Sequence, residues 1–169
     1  FRNARFSFKE GINTIIGENG SGKTNLFRAI RLLLDDNLLR MAYKLNESDF
    51  NRYLGDWKGH WIIISIEFSD LSPEEEIQAL FVHGTGDASE ETLTTATYTL
   101  LFRPKPDIRL RLSELAEDDT AGLEAILDEI TIDDYETKFT GKSTVDFNDE
   151  EVYKDIVGDF EKVKFRFPD

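Results

Sequence analysis

The fold of this chain is decided by eight residues near its start, Gly17-Glu18-Asn19-Gly20-Ser21-Gly22-Lys23-Thr24. They match the pattern G-x-x-x-x-G-K-[ST], whose successive backbone N–H groups form a concave nest for phosphate. Glycine allows backbone angles that a Cβ forbids, and it lets the main chain approach an anion closely. A helix that begins at the end of the loop adds the partial positive charge of its N-terminus. The pattern therefore predicts a phosphate-binding loop.

Three side chains at the end of this loop carry specific expectations. Lys23 is expected to reach the β- and γ-phosphates of a nucleotide, which makes it the candidate catalytic residue. Thr24 offers a hydroxyl to Mg²⁺ as the candidate metal ligand, and Asn25 would support the region of the α-phosphate. The alternative is a glycine-rich turn that binds nothing. It is disfavoured because a buried lysine beside several glycines has no packing rationale.

The segments on either side of the loop predict a strand, a loop and a helix in succession. Residues 12–16 are rich in β-branched side chains and predict a short strand, which follows a turn at residues 9–11. After the loop, apolar residues recur at helical spacing and predict a core-facing stripe. The stripe consists of Leu26, Ile30, Leu33 and Leu34. Asn46-Glu47-Ser48-Asp49 is predicted to form a turn or a helix cap.

Alternating apolar residues predict a small antiparallel sheet in the rest of the chain. Its expected strands span residues 61–68, 93–102 and 108–112. A helix is expected next, capped by Asp119 or Thr120, with Leu123, Ile126, Leu127 and Ile130 as its apolar stripe. The stretch 133–149 is acidic and interrupted by Gly141, and no element is assigned to it. Further expected elements are a short helix from Ser72, a helix over 153–160 and a strand over 162–167.

Composition and charge limit the classes of function. The 169 residues are 40% apolar and 12% aromatic, which suffices for one domain with a real core. The absence of cysteine excludes disulfide scaffolds, thiolate metal sites and cysteine nucleophiles. No apolar run approaches the roughly 18 residues of a membrane span, so we expect a soluble, cytoplasmic protein without a membrane partner. The net charge of −14 makes the chain a poor stand-alone binder of nucleic acid.

This charge is divided unevenly along the chain. Residues 1–60 carry ten Lys and Arg against seven Asp and Glu, whereas residues 61–169 carry ten against twenty-seven. The loop therefore lies in the mildly basic part, where a positive potential favours phosphate. Neither end resembles a tail or a signal peptide, and both look cut, so we expect a fragment of a longer protein.

The loop and its flanks resemble the start of the ABC-type DNA-repair ATPases, which include SMC proteins, their double-strand-break repair relatives and RecF-like proteins. The resemblance is carried by Phe1-Arg2-Asn3, Phe8-Lys9-Glu10-Gly11-Ile12-Asn13 and residues 15–26, with Asn19-Gly20 typical of that branch. It implies ATP and Mg²⁺ as cofactors. It makes Arg2 a phosphate-contact candidate, with a solvated arginine at a strand end as an equal alternative. The nucleotide-binding residues expected on this basis are Arg2, Gly17, Asn19, Gly20, Ser21, Gly22, Lys23, Thr24 and Asn25.

The next stretch resembles the ATPase domain of the OLD (overcoming lysogenisation defect) family of ATP-dependent endonucleases. The matching segments are Leu32-Leu33-Leu34-Asp35, Glu47-Ser48-Asp49-Phe50 and residues 64–72. The implied fold is α/β, the N-terminal lobe of a P-loop NTPase of ABC-ATPase type with an antiparallel β-sheet portion and short helices. We assign residues 1–112 to that lobe and residues 113–169 to an acidic extension or insertion. The resemblance further implies ATP binding and hydrolysis coupled to a DNA nuclease outside this chain.

Several motifs that the resemblance implies have no counterpart in this sequence: the Q-loop, the signature motif, Walker B and the switch histidine. Residues 125–129 match Walker B only superficially, because Glu124 interrupts the apolar run and an amphipathic helix fits better. In this class a second head supplies the signature motif in trans, so the resemblance implies a homodimer with a composite ATP site, DNA contacts outside this chain and little hydrolysis by the chain alone. Two alternatives stay open: an SMC- or RecF-like repair ATPase without nuclease, and a non-hydrolysing switch for dimerisation or partner docking.

The remaining polar groups favour structural interpretations. His60 and His83 lack a metal-ligand pattern, and the acidic residues between 128 and 134 are expected to be solvated surface. A buried Trp61 is favoured over base stacking by Trp57 and Trp61. For one small basic group, surface ion pairing and DNA contact are equally open; its members are Arg103, Lys105, Arg109 and Arg111.

Overall fold

The computed structural model describes residues 4–35, 44–74, 76, 94–116 and 118–142. The chain forms two compact units, Phe1–Trp57 and Lys58–Asp169, each with its own elements. The first unit contains helix α1 (Lys23–Leu34) and two short 3₁₀ turns, Glu47–Asp49 and Arg52–Leu54. The second contains strands β1 (Ile62–Ser69), β2 (Thr95–Pro104) and β3 (Tyr135–Lys142), helices α2 (Pro106–Ser113) and α3 (Thr120–Glu129), and a 3₁₀ turn, Ile132–Asp134. The molecule is therefore mixed α/β.

Helix α1 follows the glycine-rich loop, as its apolar spacing predicts. Leu26 and Leu33 are buried, and Ile30 is half-buried. The prediction for Leu34 is wrong: it is 49% exposed, and Leu32 is buried at 3% in its place. Leu34 is the last helical residue, so the buried stripe ends one residue earlier than the spacing suggests.

The strand predicted over residues 12–16 does not form. Ile12 is 98% exposed and Ile16 is 91% exposed. A strand needs a hydrogen-bonded neighbour, and all the strands in the described part of the chain pair within the second unit. The predicted turn is present: the Asn13 side chain accepts from the Lys9 N–H at 2.9 Å, and Gly11 has a φ of 91°. The loop is thus preceded by irregular chain rather than by a strand.

The capped turn at residues 46–49 forms an ion pair with helix α1. As predicted over residues 46–49, Asn46 caps the turn by accepting from the Ser48 N–H at 2.9 Å. Asp49 completes the box by accepting from the Asn46 N–H at 2.9 Å. The same carboxylate accepts hydrogen bonds from both terminal nitrogens of Arg28 on α1, at 2.5 and 3.3 Å. Residues that begin 12 positions after the helix are therefore held against its flank.

The second unit is built on a three-stranded antiparallel sheet of order β1-β2-β3. The central strand is buried on both faces, and Leu100 has no exposed surface. Leu100 pairs with Ile64 on β1 and with Phe139 on β3. The observed first two strands agree with the predicted ranges to within two residues, and Ile62, Ile64, Ile66 and Phe68 share one face by alternation.

The third predicted strand is wrong, because residues 106–113 form helix α2. Pro106 occupies the first turn, where its missing N–H costs nothing. Ile108 and Leu112, four residues apart, are buried on one face, whereas Leu110 between them is 55% exposed. The spacing of Ile108, Leu110 and Leu112 fits the two-residue period of a strand, and the spacing of Ile108 and Leu112 also fits the 3.6-residue period of a helix. The third strand comes instead from residues 135–142, to which the sequence assigned no element.

Helix α3 confirms the amphipathic interpretation of residues 120–129. Asp119 caps it by accepting from the Gly122 N–H at 2.8 Å. The stripe residues Ile126 and Leu127 are buried, as is Ile130 at the C-terminal cap. Walker B requires an apolar strand that ends in its acidic residues. Residues 125–129 are helical and therefore do not form that motif.

A cross-strand cluster explains most of the basic group in the second unit. Arg103 and Arg109 both donate to Glu136 Oε1 at 3.0 Å. Their guanidinium groups lie 5.3 and 5.8 Å from the centre of the Trp61 ring. Trp61 is 8% exposed, which confirms its prediction as a core residue. Arg111 donates to Glu129 at 2.6 Å, so ion pairing accounts for three of the four basic residues.

This cluster predicts a loss of stability in acid. Burial opposes ionisation of Glu136, but the hydrogen bonds from Arg109 and Arg103 outweigh it and hold the pKa of the carboxyl below its ordinary value of 4.5. A lowered pKa contributes stability above that ordinary value, and this contribution is lost as pH falls through the folded pKa. Glu136→Gln should therefore cost about 1 kcal/mol at pH 7, reduced by partial exposure, and progressively less as pH falls through the folded pKa.

Urea unfolding of both proteins at pH 7, 5, 4 and 3 measures this difference. The control is Glu67→Gln, an exposed carboxyl on β1. An equal effect of Glu136→Gln at every pH would contradict the ionic role of the cluster and leave only a packing effect.

Some sequence predictions lie outside the described residues. They concern Arg2, His83, most of the helix from Ser72, the helix over 153–160 and the strand over 162–167. The division at residues 112 and 113 stays a prediction. Within the described ranges no group of three or more acidic or histidine side chains is arranged to hold a metal ion. Across the same ranges, none of the helices has the length and apolar character needed to cross a membrane.

Candidate phosphate-binding site

The glycine-rich loop turns sharply before it enters α1. The Ser21 N–H donates to the Glu18 carbonyl at 3.2 Å, which closes a tight turn. Gly20 has a φ of 84° and Gly22 a φ of 93°, angles that side-chain-bearing residues rarely adopt. The first bond of the helix runs from the Leu26 N–H to the Gly22 carbonyl at 3.0 Å. The loop therefore wraps directly onto the helix N-terminus.

The Lys23 side chain folds back across this loop. Its ammonium group donates to the Gly17 carbonyl at 2.6 Å and to the Glu18 carbonyl at 2.7 Å. The Ser21 hydroxyl lies 3.5 Å from the same nitrogen. An ammonium group has three N–H donors, and all three have partners within the loop, of which the two short carbonyl contacts fix its position. The loop thus holds the positive charge of Lys23 beside its own backbone.

At Gly17 the surrounding side chains, rather than the backbone angle, distinguish glycine from a larger residue. A Cβ at this position would lie 2.7 Å from Ser21 Oγ and 3.9 Å from Lys23 Nζ. A methyl group would therefore intrude into the cradle between the lysine and the turn. At Gly20 nothing lies within 4 Å of such a Cβ, so there the positive φ is the constraint. This cradle, which a Cβ would fill, fits a phosphate group.

No side chain of the cap or of the first turn neutralises the partial positive charge at the N-terminus of α1. Gly22 at the cap has no side chain to accept a helix N–H, and the first turn carries no acid. Thr24 and Asn25 are exposed in that first turn. A Thr hydroxyl in this place can act as a ligand for a hard cation, and the helix N–H groups can receive anionic oxygens. The chemistry of these groups fits a Mg²⁺–phosphate ligand.

The structure brings eight of the nine predicted nucleotide-binding residues onto one loop and the first turn of one helix. The ninth, Arg2, lies outside the described residues. Two features of this unit were not predicted from the sequence: the Arg28–Asp49 pair and the cavity beside Trp57. The spacing of Thr24 and Arg28 by four residues indicates only that they share a helix face. The contact with Asp49, 21 residues away, needed the structure.

Comparison with known proteins identifies the family. A family model described as AAA domain matches residues 1–164, which is nearly the whole chain. The chain therefore belongs to the AAA domain family, and this supports an ATPase of the AAA/SMC-like class. No curated protein and no solved structure matches it significantly.

Proposed function

We propose that this member of the AAA domain family binds ATP with Mg²⁺ at the loop formed by residues 17–24. The observation that carries the proposal is the position of Lys23, whose ammonium group is held at 2.6 and 2.7 Å by two carbonyls of the same loop. A lysine placed in this way provides a fixed charge for the β- and γ-phosphates. Phosphoryl transfer depends mainly on such positioning and electrostatics.

The roles of the other residues follow from their places. Backbone N–H groups of residues 20, 22 and 23 would donate to phosphate oxygens, Thr24 would hold Mg²⁺, and Asn25 would face the α-phosphate side. Asn19 is exposed at the turn. Arg2 is proposed as a further phosphate contact from the family resemblance alone. When bound, Mg²⁺ would neutralise charge that develops on the transferred phosphoryl group.

At a finer level, we propose an OLD-like ATPase of the P-loop ABC type. Its ATP site would be completed by a second copy of the longer protein, and ATP binding would control a DNA nuclease in another part of that protein. Support comes from the resemblance over residues 1–75 and from the absence of a Walker B strand end in residues 125–129, which are helical. The net charge of −14 also supports DNA contacts elsewhere. The SMC-like ATPase without nuclease and the non-hydrolysing switch are the rival proposals.

Calorimetric titration of the chain with ATP, with and without Mg²⁺, tests this proposal together with a phosphate-release assay. We expect ATP to bind, to bind more weakly after chelation of Mg²⁺, and to be hydrolysed slowly or not at all by the chain alone. Absence of ATP binding would overturn the phosphate-loop assignment. Binding without phosphate release, even when DNA and the full-length protein are used, would favour the switch over the hydrolase.

A further inference from the structure

The first unit contains a half-open cavity that phosphate binding does not use. The cavity has a volume of about 260 Å³ and lies in the segment that the Arg28–Asp49 pair fastens to α1. Its wall includes the aromatic residues Phe50 and Trp57 and the polar residues Glu47 and Asn51. Drug-sized ligands occupy pockets of roughly 300–1,000 Å³, so this one suits a single planar ring system.

The aromatic wall is held in place from behind. Phe50 is 6% exposed, and its ring lies 5.4 Å from the ring of the half-buried Trp57, centre to centre, at an interplanar angle of 34°. Phe50 therefore supports the indole, while Trp57 keeps part of its surface toward solvent. Nucleic-acid bases stack on aromatic surfaces of this kind with little dependence on the identity of the base.

Polar groups at the same cavity can meet the edge of a base. Asn51 Oδ1 accepts from the Tyr53 N–H at 3.0 Å, which orients the amide and leaves its NH₂ group as a donor. Glu47 is exposed in the capped turn and offers carboxylate acceptors. A donor and an acceptor beside an aromatic wall match the edge of a heterocyclic base.

The segment that lines the cavity is tied to the face of α1 that carries Thr24 and Asn25. Arg28 lies three and four residues after Asn25 and Thr24, so all three share one helix face. At about 1.5 Å per residue, Arg28 is about 7.5 Å along the helix axis from Lys23. Its partner Asp49 stands in the chain between Ser48 and Phe50, both of which line the cavity. The cavity is thus tied to the helix a short way beyond the residue expected at the α-phosphate.

We infer that this cavity receives the base of the nucleotide whose phosphates bind the glycine-rich loop, with Trp57 as its stacking residue. The inference rests on the proposed function and adds a base subsite to it. The ligand class is a nucleoside di- or triphosphate, and inorganic polyphosphate lacks the part that Trp57 contacts. The Arg28–Asp49 pair connects the segment that lines the cavity to helix α1.

Tryptophan fluorescence provides the first test, because Trp57 and Trp61 are the two tryptophans of the chain. The chain is titrated with Mg²⁺ complexes of ATP, ADP and inorganic tripolyphosphate. We expect ATP and ADP to quench the emission and tripolyphosphate to leave it unchanged. The quenching should persist in Trp61→Phe and disappear in Trp57→Phe. Nucleotide binding without quenching in Trp61→Phe would overturn the inference.

Affinity provides the second test. Trp57→Leu should weaken ATP binding roughly tenfold, as expected for the loss of one stacked base, while tripolyphosphate binds as before. The unchanged tripolyphosphate affinity shows that the variant is folded. The matched control is Tyr53→Leu, because Tyr53 is an aromatic residue close by that is 96% exposed and does not line the cavity.

The outcomes separate the two proposals. Equal affinities for ATP and tripolyphosphate in the unmodified chain would overturn the base subsite and leave the phosphate loop intact. Equal weakening of both ligands by Trp57→Leu would also overturn it. Failure of the unmodified chain to bind either ligand would overturn the proposed function and this inference together.

Discussion

Replacement of Lys23 by alanine should abolish most nucleotide binding while the chain stays folded. The ammonium group of Lys23 is the positive charge that the carbonyls of Gly17 and Glu18 hold at the loop, at 2.6 and 2.7 Å. Truncation of one partner of a close charge pair costs about 2–5 kcal/mol of binding free energy, which is at least a roughly 30-fold rise in Kd for ATP. Calorimetric titration with ATP and Mg²⁺ measures this change.

The folding effect of Lys23→Ala should be small, because its two hydrogen bonds are exposed to water. The thermal midpoint without nucleotide should therefore stay within a few degrees of that of the unmodified chain. The matched control is Lys9→Ala, which removes an exposed lysine in the same unit and outside the loop. An unchanged Kd for ATP in Lys23→Ala, or an equal change in Lys9→Ala, would show that the loop does not bind the phosphates.

Replacement of Leu100 by alanine should cause the largest loss of stability in the second unit. Leu100 has no exposed surface and lies on the central strand, between Ile64 and Phe139. A truncation of this kind removes buried methyl groups and leaves a cavity, at a cost of about 2–5 kcal/mol. Since domains are stable by only about 5–15 kcal/mol, a large part of the population would unfold at moderate urea concentrations.

Urea unfolding followed by circular dichroism measures this loss. Leu100→Met, which conserves volume, should cost less than about 1.5 kcal/mol and keeps the comparison measurable if the alanine variant is unfolded. The matched control is Leu110→Ala on α2, since Leu110 is 55% exposed and its truncation should change stability by about 0.5 kcal/mol or less. Similar losses for Leu100→Ala and Leu110→Ala would contradict the register of the sheet.

The candidate phosphate site could be proposed from sequence because the geometry of its loop is local. Gly17, Gly20 and Gly22 constrain a few consecutive backbone angles, and Lys23 reaches carbonyls only five and six residues away. Capping is local in the same sense, which explains why the turn at Asn46 and the cap at Asp119 were predicted correctly. The helix α3 has a long stripe of the right period and was predicted for the same reason.

The errors arose where a short pattern allowed two structures. Ile108, Leu110 and Leu112 fit a strand by alternation, but Ile108 and Leu112 also fit a helix, and Pro106 starts that helix well. Residues 12–16 have strand-forming side chains, yet strand formation depends on a partner elsewhere in the chain. Residues 135–142 form a strand because they pair with β2. The acidic composition of the stretch 133–149 gave no sign of a strand in the sequence.

The sequence by itself determined the glycine-rich loop, the helix that follows it and the caps, because each depends on residues within about six positions of one another. The tertiary structure alone decided which segments pair in the sheet and that Arg103 and Arg109 share Glu136. It also decided that Arg28 meets Asp49 beside an aromatic cavity. These contacts join residues 21 to 45 positions apart, and their formation depends on the free energy of packing the whole unit rather than on local preference.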